Sequence, residues 1–394
     1  MKYLALLYLT ILCFYRPCAQ NDSILLGFRH QFYSGLLQEQ RTLSVYLPAS
    51  YSLPSYSETG YPLLFVLDGE SLFHLASGIV HHLSNIIVNP PCPEMIVVGI
   101  HQIDRNQDLS PSDSASGKGQ RFLEFIEKEV IPFIDKHYRT QSYRMLGGRS
   151  LGGLCVVNAL VQLNQVDSYL AIEPSLWWDS QRFLDKSQQK LRTLDLRHKS
   201  LFLAIANTMD RGLDTLTVQS DTAFNTLHMR SLLKFKSFIE AGEILPAGYK
   251  YYETENHQTV TPVALFDGLR YFFRDYPITR TSQDYDDTSF SVAQKFKKHF
   301  DMVSVLYRME LKPAEADLKG LGLHFQSVSQ FRKAAELFLL NIQYYPRSPD
   351  AHATYAACLQ AMGERTQAIE FYTKSLELKD QPEVRRKLEA LIKP

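Results

Sequence analysis

The chain has 394 residues, enough for two domains, and 45% apolar with 21% charged residues is the balance of a globular protein with a sizeable core. Lys+Arg and Asp+Glu are equal at 42 each, so no excess of positive charge marks a nucleic-acid or anionic-membrane surface. Beyond residue 20 the cysteines are Cys92, Cys155 and Cys358, widely spaced and without the second Cys or His of a zinc pattern, so stability is expected from packing rather than disulfides.

Residues 1–20 have the form of an export signal. Lys2 supplies a positive start, 3–15 is almost unbroken apolar sequence, and Cys18-Ala19-Gln20 offers a cleavage point. That run is too short to span a bilayer. The expected location is therefore periplasmic or secreted. Cys18 raises a lipoprotein as the lesser alternative, because Tyr15-Arg16-Pro17 is a poor context for lipid attachment. No later segment is long and apolar enough to cross a membrane.

Residues 21–278 alternate between short apolar runs and helical patterns. Leu43, Val45 and Leu47 alternate with polar neighbours, as in a half-buried antiparallel strand, whereas 63–67 and 95–100 are continuous apolar runs suited to strands covered on both faces. Phe122, Phe125, Ile126, Val130, Phe133 and Ile134 recur at helical spacing. A strand at 143–147 leads into Gly148-Arg149-Ser150-Leu151-Gly152-Gly153, and Leu151, Leu154, Val156, Val157, Ala159 and Leu160 form an apolar helix. Strands follow at 169–172 and 201–206, then a helix over 227–239, a strand at 249–252 and a helix over 263–273. This alternation predicts an α/β fold with a mostly parallel, doubly wound sheet.

From 276 to about 287 the sequence turns to Pro, Thr, Ser and Asp and is expected to be a linker; the region 279–314 is assigned to this linker and a packing helix carrying Phe296, Phe300, Val303 and Leu306. The remainder, 315–394, is helical and repeats. Gly322 maps onto Ala356, Phe325 onto Leu359, Ala334 onto Ala368, Phe338 onto Tyr372 and Asn341 onto Ser375, the small and large positions of a tetratricopeptide repeat of about 34 residues. Such repeats commonly bind peptides, which makes a peptide or protein partner an expectation here.

The chemistry centres on Ser150. A serine on a sharp strand-to-helix turn, with small residues where the two backbones approach, is the nucleophile elbow of α/β-hydrolases. It needs a base, a group to orient that base, and donors for the developing oxyanion. In these folds the order along the chain is Ser, acid, His. Of twelve histidines, His257 follows the last strand and precedes a helix, whereas His81, His82, His101, His299, His324 and His352 fall elsewhere. For the acid, Asp210 is nearest the end of the strand 201–206; Asp214 and Glu173 are the alternatives, as is a Ser-His dyad with a carbonyl orienting the ring. The oxyanion donors are the backbone N–H of Leu151 and that of Gly69 or Glu70, while Asp68 has a loop-shaping place. Trp177 and Trp178 offer an aromatic substrate wall or core packing. No cofactor and no metal are implied.

The stretches 61–69, 130–135, 148–153 and 174–179, with Asn256-His257, resemble the Putative esterase family, which groups with esterase D and the enterobactin-type siderophore esterases. The resemblance spans about 25–275. It implies an α/β-hydrolase fold, a serine esterase with nucleophile and base at Ser150 and His257, and a small-molecule, glycan or siderophore ester as substrate. Some siderophore esterases lack a clear third member, so the resemblance leaves the acid open. The competing readings are a scaffold with a vestigial hydrolase domain and an acyltransferase using the same nucleophile.

Overall fold

A computed structural model describes residues 25–86, 88–111, 118–242 and 244–393; the export signal expected at 1–20 lies outside the described residues. Among the described residues eight strands form one sheet in the order β1-β2-β4-β3-β5-β6-β7-β8. β1 (Phe28–Ser34) and β2 (Glu39–Tyr46) are antiparallel to each other, and β2 is antiparallel to β4 (Ile96–Ile100). From β4 onward every pairing is parallel: β3 (Tyr61–Val66), β5 (Thr140–Arg149), β6 (Ser168–Ile172), β7 (Ser200–Ala206) and β8 (Ala247–Tyr252). The antiparallel edge is the region of apolar alternation, and the parallel centre holds the continuous apolar runs, as burial on both faces requires.

Strand periodicity divides the core in two. Leu64, Val66, Val97, Met145, Leu170, Ile172, Phe202 and Ala204 face one side, with α1 (Gly69–Ser84) and α6 (Val260–Phe272). Leu63, Phe65, Ile96, Val98, Leu146, Tyr169, Ala171, Leu201 and Leu203 face the other. That second side is covered by α2 (Lys118–Phe125, continued by a π turn into Ile131–His137), α3 (Leu151–Gln162), α4 (Arg182–Leu191) and α5 (Leu227–Gly242). Cys92, Cys155 and Cys358 are buried free thiols.

The C-terminal helices are α7 (Val292–Tyr307), α8 (Glu315–Ser327), α9 (Phe331–Tyr344), α10 (Pro349–Ala361), α11 (Arg365–Leu378) and α12 (Pro382–Ile392). The helices α8 and α9 pair, as do α10 and α11. The Phe338 ring lies so close to Gly322 that a Cβ there would stand 2.4 Å from it. At the corresponding places in the second pair, Ala356 and Tyr372 share one buried cluster.

The segment expected to be a linker is folded and packed. Tyr276 and Ile278 are buried, and Thr281 opens a short helix (Ser282–Asp286) with a capping box. Asp284, 2% exposed, is paired with Lys295 and its carbonyl accepts from Lys333 Nζ, so the charges that make this stretch look solvated in sequence are neutralised internally. One apolar cluster runs from the sheet through Tyr143, Phe273, Tyr276 and Tyr307 into Phe296, Phe300 and Phe325. Gln141 exchanges hydrogen bonds with the Glu310 backbone, and Arg308 Nη2 reaches Asp167 at 2.9 Å. The helical region therefore docks at the amino end of β5. Ser150 follows the other end of this ten-residue strand, about 30 Å away at roughly 3.3 Å per residue. Among the described residues no helix is long and apolar enough to cross a membrane.

Candidate active site

β5 ends at Arg149, and α3 begins at Leu151, so the chain must reverse within Ser150 alone. It does so at φ 56 and ψ −118, a conformation that L residues rarely adopt and that costs on the order of 1–3 kcal/mol. The turn is held from outside: Ser150 N–H donates to the Ile172 carbonyl at 2.9 Å, and the Ser150 carbonyl accepts from Ser175 N at 3.1 Å. Gly148 is required by proximity, since a Cβ there would stand 2.6 Å from the Gly152 carbonyl oxygen. Ser150 Oγ lies 3.3 Å from Ser175 Oγ.

Beside the elbow, Asp68 immediately precedes α1 with its backbone in the left-handed region at φ 54 and its side chain turned away from the helix's own N–H groups. Its carboxylate is clamped by Arg105, at 2.6 Å from Nε and 2.9 Å from Nη2, and the same guanidinium donates to the Arg149 carbonyl at 3.3 Å. Arg105 is supplied by the short helix Arg105–Leu109, anchored where the buried Arg41 meets Asp108 in two bonds of 2.7 and 2.8 Å. Gly69 and Glu70 occupy the first two positions of α1, where backbone N–H groups have no intrahelical acceptor. A Cβ on Gly69 would meet the Gly99 carbonyl carbon at 2.5 Å, so only glycine lets this loop lie against β4. Leu151 holds the equivalent first position of α3. Two helix N-termini, each with partial positive charge, thus flank the serine.

His257 sits in the turn between β8 and α6. Asn256 shapes that turn by accepting from Gln258 N at 2.8 Å and Thr259 N at 3.2 Å, and Asn207 ties it to the end of β7 by donating to the carbonyls of Tyr252 and Glu255. The His257 ring is oriented through Nδ1, 3.1 Å from Glu173 Oε2. That leaves Nε2 on the opposite side of the ring, without a hydrogen bond among the described residues.

The carboxylate beside His257 is therefore that of Glu173, and Asp210 lies elsewhere. Asp210 is exposed and accepts from Asn225 Nδ2 at 2.6 Å. Asp214 is likewise occupied within its own loop, where Oδ1 caps a helical turn by accepting from Leu216 N and Thr217 N. Those bonds, led by the one from Thr217 N, hold its pKa below the ordinary value. The physical reason is the strand that supplies the acid. Glu173 follows β6, the immediate neighbour of β5, and a positive φ of 46 sends the chain sharply off the sheet. It is wholly buried, which opposes ionisation, but hydrogen bonds from His228 and His257 outweigh this and hold its pKa below the usual carboxylate range. Its Oε1 accepts from Ala206 N at 2.5 Å.

His228, in the first turn of α5, is the site residue that sequence reasoning missed; its Nε2 lies 2.9 Å from the same Glu173 Oε2. Position in the chain gave no signal for it, since it is one histidine on an amphipathic helix. The two tryptophans separate: Trp177 is 38% exposed two residues beyond Ser175, while Trp178 packs on the core beneath. A cavity of about 340 Å³, lined by Tyr56, Tyr61, Glu94, Gln141, Glu315 and Tyr345 among others, lies at the amino ends of β3 and β5, the end of the sheet away from Ser150, and contains none of these groups.

Residues 34–226 match the family described as "Putative esterase". The siderophore triacetylfusarinine C esterase of Aspergillus fumigatus is 27% identical over 243 residues, covering 55% of this chain and 82% of that protein. The crystal structure of an IroE-like serine hydrolase from Shewanella oneidensis superposes with TM-score 0.66 at 28% identity, over 81% of this chain and 99% of that one. A structure from Capnocytophaga ochracea superposes at TM-score 0.60 over 92% of this chain and 99% of that one, but at 14% identity it speaks for the fold alone. With an α/β-hydrolase-like sheet and these similarities, the chain is a hydrolase acting on ester bonds.

Proposed function

We propose that the chain is a serine esterase in which Ser150, His257 and Glu173 act as nucleophile, base and orienting acid, replacing the expected Asp210 by Glu173. Ser150 Oγ attacks the ester carbonyl as His257 Nε2 takes its proton. The resulting imidazolium keeps Nδ1–H on the ionised Glu173, and the oxyanion receives the N–H of Leu151 with that of Gly69 or Glu70. Collapse of the tetrahedral intermediate gives the acyl-enzyme, with the proton on Nε2 passing to the departing alcohol. Water then attacks the acyl group, returns its proton through His257, and the acid leaves. The observation that carries this reading is the strained backbone of Ser150, anchored on the Ile172 carbonyl, while the next residue, Glu173, orients the His257 ring. In the resting state Ser150 Oγ lies near Ser175, so the hydroxyl turns toward His257 when substrate arrives; catalytic hydrogen bonds commonly tighten only then.

The substrate class we infer is a siderophore-type ester, supported by the activity named for the Aspergillus fumigatus relative. The half-exposed Trp177 is suited to stack on a flat acyl or aryl group. Export is supported by the composition of residues 1–20. A tetratricopeptide origin for 315–394 is supported by the repeated contact of a small residue with an aromatic ring, Gly322 with Phe338 and Ala356 with Tyr372. The test is hydrolysis of p-nitrophenyl acetate and of a panel of siderophore lactones by the purified chain and S150A. Loss of turnover in S150A supports the mechanism, and undiminished turnover refutes it. Faster cleavage of simple acyl esters than of every siderophore lactone refutes the substrate class.

A further inference from the structure

Acyl transfer needs one imidazole on Glu173, yet two converge there. His228 Nε2 lies 2.9 Å and His257 Nδ1 3.1 Å from the single atom Oε2, with the rings edge to face and their centroids 5.6 Å apart. The three facing atoms all lie within 4.8 Å of one another. Among the described residues His228 Nδ1 is buried without a hydrogen-bond partner, and the ring makes its hydrogen bond to Glu173 through Nε2. Imidazole nitrogen and carboxylate oxygen bind Zn²⁺ at about 2.0–2.2 Å, which in a tetrahedral site puts neighbouring ligand atoms roughly 3.3–3.5 Å apart. The observed N···O separations are a few tenths of an ångström shorter than that. Small ring movements therefore admit the ion, and His257, 31% exposed, leaves it a path from solvent.

We propose that Glu173, His228 and His257 form an inhibitory site for a zinc-class divalent cation, with its fourth position open to solvent. On binding, each proton now held between ring and carboxylate is exchanged through solvent to the other nitrogen of its ring, so both imidazoles stay neutral. His257 Nδ1 and His228 Nε2 give their lone pairs to the metal, and Glu173 Oε2 becomes the third ligand; nothing is oxidised or reduced. His257 then carries its proton on Nε2 and cannot accept one from Ser150. Cation occupancy and catalysis exclude each other. The inhibitory consequence rests on the mechanism proposed above, whereas cation binding does not.

The test is calorimetric titration of the full chain with ZnCl₂, alongside p-nitrophenyl acetate hydrolysis at the same zinc concentrations. The wild-type chain and S150A are expected to bind one tight equivalent. H228Q keeps an amide donor toward Glu173 but loses the ligand nitrogen, and E173Q loses the carboxylate; each is expected to bind that equivalent at least about tenfold more weakly. Wild-type turnover is expected to fall with occupancy and to return on adding EDTA. The proposal is overturned by the absence of a stoichiometric site, by undiminished binding in H228Q and E173Q, or by full turnover in the zinc-saturated enzyme. An inactive wild-type chain that still binds zinc through His228 would refute the esterase mechanism and leave the metal site standing.

Discussion

Replacing Glu173 by Gln tests the assignment of the acid through the tautomer of His257. Ala206 N–H already donates to Oε1 at 2.5 Å, so the Gln carbonyl oxygen keeps that place and the NH₂ turns toward the two histidines. A donor there forces His257 to present a lone pair at Nδ1, which moves its proton to Nε2 and removes the base. Loss of a correctly oriented base through this kind of acid-to-amide change costs on the order of 10⁴ in kcat in a serine protease of known mechanism. A somewhat looser site gives about 10³–10⁴ here, or roughly 4–5.5 kcal/mol at 1.36 kcal/mol per decade. KM for p-nitrophenyl acetate should change little, because Glu173 is buried and does not reach the ester. Steady-state hydrolysis by E173Q, D210N and D214N in parallel separates the candidates. A loss below tenfold in E173Q, or a loss above tenfold in D210N or D214N, would refute the argument.

Three further outcomes follow from the same geometry. In G148A the new methyl meets the Gly152 carbonyl at 2.6 Å, so the elbow must shift; a misplacement approaching 1 Å costs about 10²-fold in kcat, and wild-type kcat in G148A would show that the turn has slack. In D108A the buried Arg41 loses its bidentate partner but keeps Glu39, and the Arg105 helix loses its anchor, which lowers unfolding free energy by about 1–3 kcal/mol in urea titrations; a change under about 0.5 kcal/mol contradicts this. The Glu173 carboxyl is held below its ordinary value of 4.5, so the stability contributed by its ionised form is complete above that pH and lost as pH falls through the lower folded value. The Tm gap between wild type and E173Q should therefore close as the pH is taken down through and below the ordinary carboxylate range; a gap that widens on acidification reverses the sign.

The parallel centre of the sheet and the elbow are legible in the sequence because they rest on local signals. Continuous apolar strands, and small residues on either side of Ser150, are demanded by backbone contacts a few residues apart. The place of His257 is legible for a similar reason: Asn256 and Thr259 mark a helix start just after a strand. The acid is not. Asp210, Asp214 and Glu173 all follow strands, and what separates them is a long-range fact: only Glu173 lies next to the elbow strand with a backbone turned off the sheet. His228 depends on how α5 leans over the sheet, which helical periodicity does not encode. The folded stretch 276–287 escaped for a related reason. Its Asp284 reads as solvated until Lys295 and Lys333, from two different helices, are brought to it.

In the proposed mechanism one hydroxyl, that of Ser150, is made nucleophilic by its turn and by His257. Labelling the intact chain with a fluorophosphonate and mapping the adduct by peptide mass spectrometry tests it most directly. A single adduct on Ser150 is expected, none in S150A, and labelling slowed about 10²–10⁴-fold in H257A, the range that a positioned general base contributes. An adduct on Ser175, whose Oγ lies 3.3 Å away, or labelling of H257A at the wild-type rate, would contradict it.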